Sequence, residues 1–216
     1  MVRQERALRT RRALIEAAAD EFDHHGYNGT SLARISKVAD LSIGAVTFHF
    51  PSKQSLADAV QEEGRAVTVA ALGDLTAEPL PPLRLVIELT LELARLMEHE
   101  PSVRSAIRLG RERPGTDAWS GAWQPIVRNM LDRAYETGQL HIDALPADVA
   151  MLVEHLTGGA EAYLRSRMGS GPVFESAVTQ LRRVWRLALT GVLPEVASRL
   201  DEPGPPAATL TERPAR

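Results

Sequence analysis

The chain contains no cysteine among its 216 residues. That excludes a disulfide framework and any thiolate-ligated metal site, and it fits a reducing compartment, so a cytoplasmic location is expected. Long apolar runs are missing too. The longest are far too short to cross a bilayer, and the Arg-rich N-terminus lacks the apolar stretch that secretion needs, so no membrane partner is expected. The histidines (His24, His25, His49, His99, His141, His155) show no HExxH or other ligand spacing. No strand pattern rises above noise, hence no Gly-rich loop follows a strand to cradle phosphates, and no serine has a nucleophile-elbow context. Glu154, His155 and Glu161 share one helical stretch, but two turns separate the carboxylates, which does not by itself make a metal site. No catalytic residue, metal or cofactor is expected, and the chain is not read as an enzyme.

A large net charge is also absent, at −3 overall, but its distribution is uneven. Residues 1–12 hold Arg3, Arg6, Arg9, Arg11 and Arg12 against Glu5 alone, a net +4. Through Lys53 the balance is +2, and the remainder carries −5. A positive end on a negative body orients a molecule towards a polyanion. With 44% apolar residues the chain can bury a core of one large or two small domains.

The apolar residues that are present recur at helical spacing throughout. A first helix over 8–25 carries Leu14, Ile15, Ala18 and Phe22 inward and stops at Gly26. The arm before it is expected to stay mobile until phosphates bind its arginines. Leu32, Ile35 and Ala39 give one face of a helix over 31–39, which Thr30 or Ser31 can cap. After a tight break at Asp40-Leu41, Ser42 can cap a helix over 43–49 whose inward stripe is Val46 and Phe50. Helices this short do not persist alone, so both need the first to lie on. The unit reads as a helix-turn-helix, whose second helix enters a DNA major groove.

Ser52 caps a fourth helix to about Leu72, in which Gly64 costs about 1 kcal/mol relative to alanine. Further helices are expected over 82–100, 101–111, 117–137, 146–168 and 173–200, the last kinked near Pro194, with a disordered tail over 201–216. The fold class is therefore all-α, with about nine helices. A DNA-binding domain spans 1–53, helix 52–72 couples it to the body, and 54–200 form a ligand-binding and dimerisation domain. The 146–168 segment is apolar around much of its circumference, so it is either central or at a subunit interface.

The run Gly44-Ala-Val-Thr-Phe-His-Phe50 with Pro51-Ser-Lys53 and Leu56, preceded by Ala17-Ala-Ala-Asp-Glu-Phe-Asp-His-His-Gly-Tyr27, resembles the DNA-binding domain of the tetracycline-repressor (TetR) family. Trp123, Gly138-Gln-Leu140, and Trp185 with Gly191-Val-Leu-Pro194 resemble its branch of γ-butyrolactone receptors from antibiotic-producing actinobacteria. The resemblance implies that Thr30, Ser31, Arg34 and Lys53 hold phosphates, together with the Arg arm. It implies that Ser42 starts the reading helix and that Ile43, Gly44, Ala45, Thr47 and His49 face bases or line the groove. Three positions depart from the family pattern. Thr47 replaces a frequent Tyr, Ile43 stands where Lys, Arg or Gln is common, and Asp40 replaces a turn Gly. The reading helix carries no Arg or Lys, so discrimination rests on thymine methyl contacts from Thr47 or Ile43, on DNA shape, or on the arm.

In that branch the residue matching Trp123 contacts the ligand. Gln124 and Thr157 are then the polar groups for a ring oxygen, and Leu89, Leu93, Ile107, Val127, Met130 and Leu156 the lining of an acyl-chain tunnel. Gly64 lies where the branch commonly has Gln, and Trp185 is assigned to core or interface. The expected function is a repressor that binds double-stranded DNA at a near-palindromic operator and releases it for a small-molecule inducer. It would be a homodimer through helices 147–168 and 173–200. The alternatives are a TetR-fold binding protein with weak or altered DNA affinity, or a regulator of another ligand class.

Overall fold

The structure is a computed structural model that describes residues 2–113, 115, 119–167 and 175–190, with the side chains of Val2 and Arg3 left aside. The described residues form nine α-helices, one 3-10 turn and no strand. These are α1 (Val2–Gly29), α2 (Leu32–Val38), α3 (Ile43–His49), α4 (Lys53–Thr76), α5 (Pro82–His99) and α6 (Pro101–Glu112). The 3-10 turn Trp119–Ala122 follows, then α7 (Gln124–Glu136), α8 (Pro146–Arg167) and α9 (Ala177–Thr190). None of these helices is long and apolar enough to cross a membrane.

Two apolar clusters organise the chain. The head cluster joins Leu14, Ala18 and Phe22 of α1, Ile35 of α2, Val46 of α3 and Leu56, Ala57 and Val60 of α4, with Leu109 of α6 inserted from the body. The body cluster centres on α5, whose Leu85, Val86, Leu89, Leu93, Ala94, Leu96 and Met97 are all buried. Each such side chain contributes on the order of 1.5–3 kcal/mol by leaving water. Helix α4 supplies both clusters, since its far end contributes Leu72 to the body.

Helix α6 clamps the two parts. Arg104 Nε donates to the fully buried Asp23 carboxylate at 2.6 Å, Arg108 Nη1 to the Asp23 carbonyl at 2.7 Å, and Ser105 to the Ala19 carbonyl. Next to α6, Arg113 reaches Asp58 and Gln61 of α4, each at 2.5 Å. Towards the body, Arg111 pairs with Glu161 of α8, a buried carboxylate that also accepts from Arg165.

Several expectations change. The N-terminal arm is helical: its Arg, Ala, Leu and Gln are good helix formers, and α1 reaches back to Val2, its non-helical residue being Gly26 at φ 71°, where the first helix was expected to stop. The helix expected over 117–137 begins only at Gln124, because Pro125 is tolerated in a first turn and not beyond it. The central helix is α5. Helix α8 buries one side and leaves Met151 and Leu152 exposed. Helix α9 is described from Ala177 to Thr190, so residues 168, 173–174 and 191–200 of the expected helices, Pro194 among them, and the 201–216 tail lie outside the described residues.

Candidate functional site

The head is built from short helices whose ends are individually capped. Ser31 Oγ accepts from the Arg34 amide, Ser42 Oγ from the Ala45 amide, and Ser52 Oγ from the Ser55 amide. Asp40 carries a positive φ of 52° at the break, a conformation a short polar side chain tolerates. Ser36 Oγ donates to the Leu41 carbonyl at 2.5 Å and closes the turn. With Val46 and Phe50 buried, α3 turns Ile43, Gly44, Thr47 and Phe48 outward, while Ala45 and His49 are half-buried. The Thr47 hydroxyl hydrogen is held by its own helix, with the Ile43 and Gly44 carbonyls at 3.1 and 3.2 Å. Phe48 is 80% exposed, and the His49 ring meets it edge-on at 5.2 Å.

The cations of the head divide into two sets. Arg6 and Arg9 are exposed and form no ion pair among the described residues, while Arg12 makes only an exposed pair with Glu16 at 3.2 Å. Arg11 lies 5.2 Å over the Phe50 ring, which sets it beside the end of α3. The second set is occupied internally. Arg34 pairs with Glu21 and donates to His25 at 2.6 Å. Lys53 Nζ donates to the carbonyls of Tyr27 and Thr30 at 2.9 and 3.1 Å and lies over the Tyr27 ring. Thr30 is buried, its hydroxyl donating to the Glu21 carbonyl at 3.1 Å.

In the body, Trp119 and Trp123 stack obliquely with ring centroids 6.0 Å apart. Trp119 Nε1 donates to Thr68 Oγ1 of α4 at 2.8 Å. Trp123 is 3% exposed, and its indole N–H is buried without an acceptor. Leu89, Leu93, Val127 and Met130 are buried in the same cluster, with Ile107 and Leu156 packed against it. The Thr157 hydroxyl donates to Val153 O at 2.8 Å, and Gln124 is half-buried at the start of α7. Cavities of 490 and 510 Å³ open elsewhere, one lined by His24, Glu98, Arg104 and Tyr163 and the other by Arg128, Asp132, Met151 and Glu154. Neither of these two is lined by Trp123. Among the described residues, no cluster of three His, Asp or Glu side chains could hold a metal.

Residues 14–60 match the family model for bacterial regulatory proteins of the tetR family. The A-factor receptor protein of Streptomyces griseus is 28% identical over 202 residues, spanning 91% of this chain and 67% of that protein. A solved γ-butyrolactone receptor, described as ArpA-like, is 30% identical over 86% of this chain and 99% of its own, with a TM-score of 0.65. The TetR family protein CprB from Streptomyces coelicolor A3(2) is 31% identical over 84% of this chain and 99% of its own, at a TM-score of 0.64. The chain belongs to the TetR family. A structure of CprB in complex with its biological operator sequence covers 92% of this chain at 28% identity and a TM-score of 0.72.

This TetR-family transcriptional regulator therefore resembles γ-butyrolactone receptors along nearly its whole length. Within it, the Thr30 hydroxyl and the Lys53 ammonium, both expected at phosphates, are engaged at the α1–α2 corner by the carbonyls of Glu21, Tyr27 and Thr30. The outward residue that sequence reasoning missed is Phe48. The signal was available, since a helix with Val46 and Phe50 inward turns positions 47 and 48 away from the core.

Proposed function

We propose that the protein is a homodimeric, ligand-responsive repressor that leaves a near-palindromic operator when a small signal of γ-butyrolactone or related type enters the body beside Trp123. One chain of contacts supports the reading most. The Trp123 ring meets Trp119, Trp119 donates to Thr68 on α4, and α4 begins at Lys53, which holds the α1–α2 corner of the head. A ligand acceptor that engaged the unpaired Trp123 N–H would disturb the partner of an α4 hydrogen bond. A buried donor without an acceptor costs on the order of 1–3 kcal/mol, and an occupant that relieved it would favour the state that admits it.

The exposed Met151 and Leu152 of α8, with Val184, Leu187 and Leu189 of α9, are the proposed dimer face. Two-fold pairing there would set the reading helices about 34 Å apart or slightly more, one turn of duplex. On this reading 1–53 bind DNA and 54–200 sense and dimerise. A second reading, a ligand-binding protein with weak DNA affinity, is favoured by one observation. The outward face of α3 bears no Arg or Lys, and Lys53 is committed internally.

Mobility-shift binding against fragments of the native chromosome separates the two. The repressor reading expects specific shifts whose affinity falls steeply with salt, with a slope near −0.9 per phosphate contacted. It also expects release by an added γ-butyrolactone in the wild type and not in Trp123→Ala. Failure to shift any fragment at low salt would leave the binding-protein reading standing, and release that survives in Trp123→Ala would remove Trp123 from the site.

A further inference from the structure

Resting on the DNA-binding reading above, we propose that α3 reads its operator through the methyl groups of thymine, with Phe48 as the principal specificity-determining side chain. Thymine is the base that presents a methyl group in the major groove, whereas the other bases are distinguished there by hydrogen-bond donors and acceptors. The outer face of α3 is poor in the groups that read those. Ile43 and Phe48 have no polar atom and Gly44 has no side chain. Thr47 has its hydrogen turned back onto the Ile43 and Gly44 carbonyls, leaving its methyl and lone pairs. His49 is half-buried with its ring against Phe48. What remains outward is apolar surface, Ile43 at 49% exposure and Phe48 at 80%.

Phe48 is more exposed than any other large apolar side chain among the described residues, while Phe22 and Phe50 nearby are buried. A ring held in water on the helix that the DNA-binding reading places in the groove is the largest apolar group that helix can offer a base. The charge around it selects the partner. Arg6, Arg9 and Arg12 of α1 and Lys37 of α2 are exposed on the same head, whose net charge through Lys53 is positive. An apolar face on a head with exposed cations, Arg11 among them over the Phe50 ring, suits a polyanion that offers methyl groups in a groove, which describes a thymine-bearing duplex better than a second protein surface.

The test uses the full-length protein and a duplex selected with it from a random-sequence pool. Thymines in each half-site are then replaced one at a time by uracil, which deletes the methyl and nothing else. At the positions under α3, uracil is expected to weaken binding about fourfold per half-site, the factor that corresponds to roughly 0.8 kcal/mol for one buried methyl-sized group. Phe48→Ala should lose that uracil sensitivity and keep its salt slope, and Phe48→Leu should keep part of the sensitivity. Uracil tolerated at every position by a tightly bound duplex would overturn the proposal while leaving DNA binding intact. So would a Phe48→Ala protein with undiminished uracil sensitivity, or one altered only in its oligomeric mass. A pool that yields no bound sequence at low salt would sink the DNA-binding reading, and this inference with it.

Discussion

Placing a single methyl group on Gly64 should push α4 and α6 apart. A Cβ built there would lie 2.5 Å from the Ser102 carbonyl oxygen, 2.7 Å from Ala106 Cβ and 3.0 Å from the Ser102 carbonyl carbon. Two of those three atoms are backbone, so no rotamer change clears them, and the helices must separate by about an ångström to restore ordinary contact. Overpacking of this kind costs about 1–3 kcal/mol, while alanine returns about 1 kcal/mol of helix propensity. Gly73, on the same helix, supplies the control, because a Cβ there meets nothing within 4 Å. Gly73→Ala should therefore gain stability, and the gap between the two variants isolates the clash. For a chain of this length about 2 kcal/mol corresponds to roughly 6 °C in Tm. The assay is thermal unfolding followed by circular dichroism at matched protein concentration, since self-association of the kind proposed would make Tm concentration-dependent. Gly64→Ala melting at or above Gly73→Ala would refute the close approach of α4 to α6. Any larger side chain would meet the same obstacle, so glycine here is a packing requirement.

Lys53→Met should lower stability by about 2 kcal/mol through loss of two charge-assisted hydrogen bonds, with the salt slope of DNA binding unchanged; a flattened slope at unchanged stability would restore Lys53 to the phosphates. Glu112 supplies a pH prediction. Burial alone would raise its carboxyl, but the Arg108 guanidinium, the Tyr27 amide and the charge of Arg165 together hold it below its ordinary 4.5. A folded pKa below the unfolded one gives stability that is present above about 4.5 and lost as pH falls through the folded value. The stability difference between wild type and Glu112→Gln, from urea titrations at successive pH, should hold steady from neutrality to about pH 5 and close in more acid solution. A gap at pH 3 undiminished from its neutral value would show that the Arg108 and Tyr27 contacts do not depend on the carboxylate charge.

The parts of the head legible in the sequence were those set by neighbours in the chain. Ser31, Ser42 and Ser52 each cap the helix that follows, and Asp40 takes the left-handed turn, because a cap or a turn is decided within four residues. What was not legible is set by residues further away. Lys53 and Thr30 were read only as phosphate-holding, and their contacts to Tyr27, 26 residues earlier, and to Glu21, nine earlier, come from the fold. Gly64 read as an interruption because Ser102 and Ala106, its contacts, are distant in sequence. Likewise α5 and α8 both read as apolar helices, and only packing assigns the centre to one and leaves Met151 and Leu152 of the other exposed.

The internal use of cations bears on how such a head would hold DNA. With Lys53 tied to the α1–α2 corner and Arg34 to Glu21 and His25, the cations most open to phosphates are Lys37 of α2 and those of the first three turns of α1. There the ordered arm matters. A floppy arm would lose conformational entropy on every docking, at about 1–2 kcal/mol per residue fixed. Arginines already mounted on a helix avoid most of that cost, and Arg6 and Arg9, three residues apart, lie on neighbouring positions of one face. A helical arm is also selective, because it reaches only phosphates that lie along its own direction. Its geometry relative to α3, pinned where Arg11 sits over Phe50, would then fix the register of the head on the duplex before any base is read.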